Sequence, residues 1–245
     1  METLIVIIVC AAAIFLVARN NKGTSKRNLQ ENPIKPSDVS SQEHQAIDEY
    51  TKAIPLNPND SDSYYRRGDK LQKLGHYEKA IRDFSEAIRL NPSDASYYEA
   101  RGASYSDSRQ YKNAIGDYTE AIRLNPNDPA VYNNRGNAYF DIDQYEKAIQ
   151  NYDEAISIDP NDGLFYYTRA TAYNELDQNE KAIEDYTEAI HLDPNDADMY
   201  CNRGFVYDEL GEYEKALQDY DEAIRLDPGL EEALVNRQLL LAEMN

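Results

Sequence analysis

The chain has 245 residues, with 45 acidic against 25 basic side chains and a formal net charge of −20. That balance excludes a basic nucleic-acid-binding surface. A hydrophobic fraction of 41% with 11% aromatics excludes a disordered polyanion. Two cysteines cannot build a disulfide framework, and no Cys/His cluster has metal-ligand spacing, so neither a metal nor another cofactor is expected.

Leu4 to Ala18 is an uncharged run of 15 residues. From Met1 to Ala18 a helix would span roughly 27 Å at ~1.5 Å per residue, close to the ~30 Å hydrocarbon core of a bilayer. The only side-chain charge before this run is Glu2, whereas Arg19, Lys22, Lys26, Arg27 and Lys35 follow it. A cleaved export signal needs bases before its apolar core and small residues at its end. The observed order favours an uncleaved anchor over residues 1–18, with the N-terminus outside and the rest of the chain in the cytoplasm. A secreted or periplasmic chain, released by signal cleavage and acting in envelope assembly or secretion, is the competing reading. Residues 19–40 contain Gly23, Pro33 and Pro36 with no helical or strand period, and read as a flexible basic linker.

From there to the end, residues 41–245, the chain repeats itself. Prolines stand 34 residues apart at Pro58, Pro92, Pro126, Pro160, Pro194 and Pro228, and alanines keep the same step from Ala80 to Ala216 and from Ala87 to Ala223. A fixed period of this length marks a repeat array. Within residues 129–162, Tyr132, Gly136 and Tyr139 share one helical face, and Ala148, Ile149, Tyr152, Ala155 and Ile156 form a second stripe. Each period is therefore a helix, a short turn, a second helix and a loop capped by Asn and Asp. Five complete periods run 61–94, 95–128, 129–162, 163–196 and 197–230. A half repeat, residues 43–60, precedes them with only a second-helix pattern. A capping helix, residues 231–244, follows with Leu234 and Leu241 in its apolar stripe and Glu231, Glu232 and Glu243 exposed.

Two recurring places need a physical cause. Glycine in mid-helix costs about 1 kcal/mol relative to alanine, yet Gly68, Gly102, Gly136 and Gly204 recur there, with Ala170 in the remaining repeat. Close approach of neighbouring helices explains it. Arg67, Arg101, Arg135, Arg169 and Arg203 recur one residue earlier, accompanied by Asp83, Asp117, Asn151, Asp185 and Asp219. Their charges match a structural ladder between helices; an arginine row exposed to an anionic ligand conflicts with the acidity around it.

Tyr64, Gly68, Leu71, Ala80, Phe84, Ala87 and Pro92 together resemble the tetratricopeptide repeat, with Tyr118, Tyr152, Tyr186 and Tyr220 replacing Phe84 in later repeats. The resemblance implies an all-α fold, a right-handed α-solenoid of antiparallel helix pairs, here preceded by the single hydrophobic N-terminal helix. It also implies a concave face, lined by the first helices, that holds a peptide or a partner helix. Projected onto this chain, that face offers Asp62, Tyr65, Asp69, Glu99, Asn133, Asn137, Phe140, Tyr167, Thr171 and Phe205 as groove residues. Asn134 and Asn202 stand beside them as donors to a peptide backbone. Nine of the 25 inward places are acidic and one, Lys73, is basic. The expected partner is a protein or peptide with a basic or amphipathic segment, steered by the acids and held by the aromatics. The carboxylate clamp of chaperone-binding members is not expected, because its first lysine place holds Tyr65, Glu99, Asn133, Tyr167 or Cys201.

Catalysis finds no support in the sequence. His44, His76 and His191 are scattered, and no Gly-rich phosphate loop or nucleophile elbow occurs. The sequence thus reads as a non-enzymatic scaffold tethered to a membrane. Self-association, with the C-terminal helix of one copy in the groove of another, is a third reading.

Overall fold

The computed structural model describes residues 36–244, with side chains from residue 41 onward; the expected anchor at 1–18 and most of the expected linker lie outside them. Helix α1 is Pro36–Ala53. Five pairs follow: α2 Ser61–Lys73 with α3 Tyr77–Leu90, α4 Ala95–Asp107 with α5 Tyr111–Leu124, and α6 Pro129–Phe140 with α7 Tyr145–Ile158. The last two pairs are α8 Gly163–Asn174 with α9 Asn179–Leu192, and α10 Ala197–Glu209 with α11 Tyr213–Leu226; α12, Glu231–Glu243, ends the array. No strand occurs among the described residues, and none of their helices is long and apolar enough to cross a membrane. Helix α1 begins inside the stretch read as linker. Its first residue is Pro36, where proline's fixed φ and missing N–H suit a first helical turn, so a residue that signals a break also starts a helix.

The 34-residue period has a local cause at each boundary. Asp94, Asp128, Asp162 and Asp196 stand before α4, α6, α8 and α10, and each accepts a bond from the backbone N–H two residues on, at 2.9 to 3.1 Å. These caps satisfy donors that a helix start leaves open. The turn inside each pair depends on a residue in the left-handed region: Gly75, Arg109, Asp143, Asp177 and Gly211, with φ between 55° and 74°. Only the two glycines adopt that conformation without a steric penalty.

The core is built from the second-helix ring and the small residue opposite it. A Cβ added to Gly68 would lie 2.7 Å from Phe84, and one added to Gly136 would lie 2.5 Å from Tyr152. Tyr118, Tyr152, Tyr186 and Tyr220 are all buried, as are the flanking alanines from Ala80 to Ala223. The mid-helix glycines are thus the consequence of ring-on-backbone packing, and each ring is among the largest side chains its repeat buries.

The arginine ladder ties successive repeats together. Arg67 donates from Nε and Nη2 to both Asp83 oxygens at 2.7 Å. Arg101, Arg169 and Arg203 grip Asp117, Asp185 and Asp219 in the same two-pronged way at 2.7 to 2.8 Å. The remaining Nη1 reaches back to the second helix of the previous repeat, at Thr51, Ser85, Asp153 and Thr187 respectively. Each guanidinium lies against the leading tyrosine of its repeat, 5.6 to 6.0 Å from the ring centre. A planar donor with five N–H groups serves two helices and a ring at once, which lysine cannot do. The third rung differs: Arg135 meets the amide of Asn151 through Nε alone, at 2.7 Å.

Helix α12 corrects the expected register of the cap. Ala233 and Leu240 are the buried residues, while Leu234 is 42% exposed and Glu232 is half-buried. The stripe is shifted by one residue because α12 packs only on the elements before it. Leu234 borders Asp221 and Ile224 of α11, and no second helix follows α12 among the described residues to close over it.

Candidate functional site

Successive first helices, α2, α4, α6, α8, α10 and α12, touch one another along the array; no comparable contact links successive second helices among the described residues. The first helices therefore form the shorter, inner side of the curve. Polar pairs bridge them at a repeated register. Gln72 donates to Asp107 at 3.1 Å, Thr168 to Asn133 at 3.0 Å, Asn202 to the Tyr167 hydroxyl at 2.8 Å and Asn174 to Glu209 at 3.0 Å.

These bridges occupy several of the expected groove residues. Asn133 is buried with its oxygen on Thr168, and Asn202 is held by Tyr167. Asn137 accepts from the Tyr152 hydroxyl at 2.8 Å, and Thr171 shares a 3.1 Å bond with the Tyr186 hydroxyl. The Tyr65 ring packs on Phe84 and Tyr97 with centres 5.8 and 5.1 Å apart, and Phe140 meets Tyr145 edge-on at 5.1 Å. Asp62 pairs with Arg66 at 2.6 Å and Asp69 with Lys73 at 3.0 Å, both near the N-terminal end. Cys201, projected onto the same face, is instead buried against Ala216 and Tyr220; burial pushes its thiol up to about 12, so it stays protonated. Residues at that place are covered by the next first helix, which single-repeat periodicity does not show.

Glu99, Asn134 and Phe205 remain. Glu99 and Asn134 make no hydrogen bond or ion pair among the described residues, although they occupy the register that Asn133–Thr168 and Tyr167–Asn202 close with a bond. Burial first, then the charge of Asp128, raises the Glu99 carboxyl above its ordinary value. Asp198, Asp208 and Glu232, on the last two first helices, are raised in the same way, by burial and then by neighbouring carboxylates; Glu209 is raised by burial in spite of its hydrogen bond from Asn174. On the outer helices the sign reverses: Glu120 and Glu222 are lowered by hydrogen bonds from Arg123 and Arg225. Among the described residues the bases of the inner face, Arg66, Lys70 and Lys73, are gathered on α2 and pair with acids there or on α1, while the raised inner-face acids towards the C-terminus have no ion pair.

The comparisons agree with this geometry. Tetratricopeptide repeat profiles match residues 61–94, 129–162 and 197–230, and residues 151–184; a TPR repeat profile matches 107–143 and 170–211. Together these span well over half of the sequence. The chain belongs to the tetratricopeptide repeat family.

Solved tetratricopeptide structures share its shape. A crystal structure of YrrB, described as a TPR protein with an unusual peptide-binding site, is 24% identical, with a TM-score of 0.63, and covers 77% of this chain and 97% of its own. MamA is 25% identical, with a TM-score of 0.62, over 66% of this chain and 94% of its own. A thermophilic TPR protein of Thermus thermophilus, TTC0263, is 19% identical, with a TM-score of 0.59, over 74% and 99%. No match was found among curated proteins. Tetratricopeptide repeats are in general non-enzymatic scaffolds. Among the described residues no group of three His, Cys, Asp or Glu side chains is placed to hold a metal ion.

Proposed function

We propose that this tetratricopeptide array binds a basic or amphipathic segment of a partner protein along its inner face, without catalysis, while its N-terminal segment anchors it to a membrane. One observation carries the binding reading: five inner-face carboxylates, Glu99, Asp198, Asp208, Glu209 and Glu232, are raised, first by burial and then by neighbouring carboxylates, whereas the outer Glu120 and Glu222 are lowered by Arg123 and Arg225. An array in this state gains free energy when a cation enters, since the segment supplies the missing counter-charges. Phe205 and the partly buried Tyr65 and Tyr167 add apolar surface to that face. YrrB, named for its peptide-binding site, supports the same use of the fold.

The membrane part rests on the sequence of residues 1–18 and the bases after it. Both parts are open to test with the full chain in sealed cells and in detergent. Fractionation places it with the membranes, and external protease spares the array; digestion of the array would reject the cytoplasmic orientation. In fluorescence anisotropy, a basic amphipathic peptide binds and loses affinity as salt rises, whereas its charge-inverted counterpart does not bind. Equal binding of both peptides contradicts the reading.

A further inference from the structure

The inter-repeat bridges give an independent view of where a cation belongs. Gln72 to Asp107 and Asn174 to Glu209 are amide-to-carboxylate bonds between residues 35 apart on successive first helices. The same register at the final junction sets Asp208 of α10 against Glu243 of α12. Two acceptors meet there, with no donor between them. Neither side chain makes a hydrogen bond or ion pair among the described residues, and burial, then Glu243, then Glu209 raises the Asp208 carboxyl.

A second orphan lies beside this pair. In the third and fourth repeats the buried tyrosine hydroxyl is satisfied from the inner helix, Tyr152 by Asn137 and Tyr186 by Thr171. Phe205 occupies the corresponding place in the fifth repeat and offers no polar atom. Tyr220 is fully buried and its hydroxyl has no hydrogen-bond partner. The equivalent hydroxyls reach Asn137 and Thr171, so that of Tyr220 is aimed at the place of Phe205, one helical turn before Asp208 on α10; burial, then the charge of Asp208, raises it. A buried polar group left unmet costs about 1–3 kcal/mol, and its persistence here calls for a ligand.

We propose that Asp208, Glu243 and the Tyr220 hydroxyl form a socket for one cationic side chain, a lysine ammonium or an arginine guanidinium, of the bound segment. The socket rests on the inner-face reading above and gives it a fixed point at the C-terminal end. The cation supplies the donor that Gln72 and Asn174 supply at their own junctions, and it meets three acceptors at once. Phe205, three residues before Asp208 on α10, shares that helix face and adds an aromatic side chain beside the socket. The helix pair α10 and α12 would then be clamped by the partner instead of by the chain itself.

The register also supplies the test. Asp208→Asn places an amide opposite Glu243, copying the Asn174–Glu209 bridge and closing the socket from within. Anisotropy of a labelled oligolysine peptide on the full chain in detergent should show binding about tenfold or more weaker for this variant. Its thermal midpoint should rise at the same time, which a merely damaged fold would not produce. Glu243→Gln, which puts the amide on the other helix, should give the same pair of changes. Wild-type binding that both variants retain in full overturns the socket and leaves the inner-face reading standing. Absence of oligolysine binding by the wild type overturns both. Displacement of the peptide by calcium chloride alone, at matched ionic strength, overturns the socket in favour of a metal site.

Discussion

Arg135 is the one complete-repeat ladder arginine facing an amide instead of a carboxylate. Burial lowers its basicity, where Arg67, Arg101, Arg169 and Arg203 are all raised. Asn151→Asp should restore the two-pronged grip seen at Asp117 and Asp185 and stabilise the array by about 1 kcal/mol. Thermal unfolding checks this: the midpoint should rise, and an unchanged midpoint would mean the ladder contributes geometry without stability. A second residue-scale strain sits in the turn between α4 and α5. Arg109 holds φ at 60°, the conformation that Gly75 and Gly211 adopt freely. Arg109→Gly should therefore stabilise by roughly 1 kcal/mol, as relief of a left-handed penalty at a long side chain. Lower stability in that variant would show that contacts of the Arg109 side chain outweigh its backbone strain.

Among elements, the complete repeats are legible from the sequence because their partners keep a constant separation. Arg67 and Asp83 are 16 residues apart, and so is every later rung; Gly136 and Tyr152 share that spacing. Relations between repeats are harder to read. Asn133 and Thr168, or Tyr167 and Asn202, pair only across a 35-residue offset with different residue types each time, so no single column of the repeat shows them. The polar character of paired places 35 apart is the available signal. The cap misleads for a related reason: its expected stripe follows a helix covered on both sides, and α12 is covered on one. Leu240→Ala should cost about 2–4 kcal/mol by leaving a cavity beneath α12. Leu239→Ala, at a 51% exposed neighbour, should change stability by less than about 0.5 kcal/mol. Chemical denaturation compares them directly, and equal effects would restore the register centred on Leu234 and Leu241.

At the scale of the whole molecule, charge is distributed unevenly in two directions. Residues 1–36 carry five bases against two acids, and the remaining chain carries 20 bases against 43 acids. Within the array, several inner-face acids have no ion pair among the described residues. Glu99, Asp198, Asp208, Glu209 and Glu232 all have raised carboxyls. The folded chain thus binds protons more tightly at these groups than the unfolded chain does. Their contribution favours folding below the ordinary carboxylate range of about 4 and is lost as pH rises through the raised values. Thermal midpoints should accordingly increase on moving from neutral to mildly acidic pH, and the increase should shrink in high salt. A midpoint that falls throughout that interval would mean the inner acids are compensated.

The same charge pattern should govern partner binding, and one comparison isolates it. Glu99 lies on the inner face without a counter-charge, whereas Glu188 is exposed on the outer helix α9. Glu99→Lys and Glu188→Lys change the net charge of the full chain equally, so non-specific attraction of a basic peptide weakens equally in both. The most direct measurement is the dissociation constant of a basic amphipathic peptide for these two variants at the same ionic strength. Inner-face binding predicts at least about a tenfold loss for Glu99→Lys against a small loss for Glu188→Lys; equal losses would contradict it.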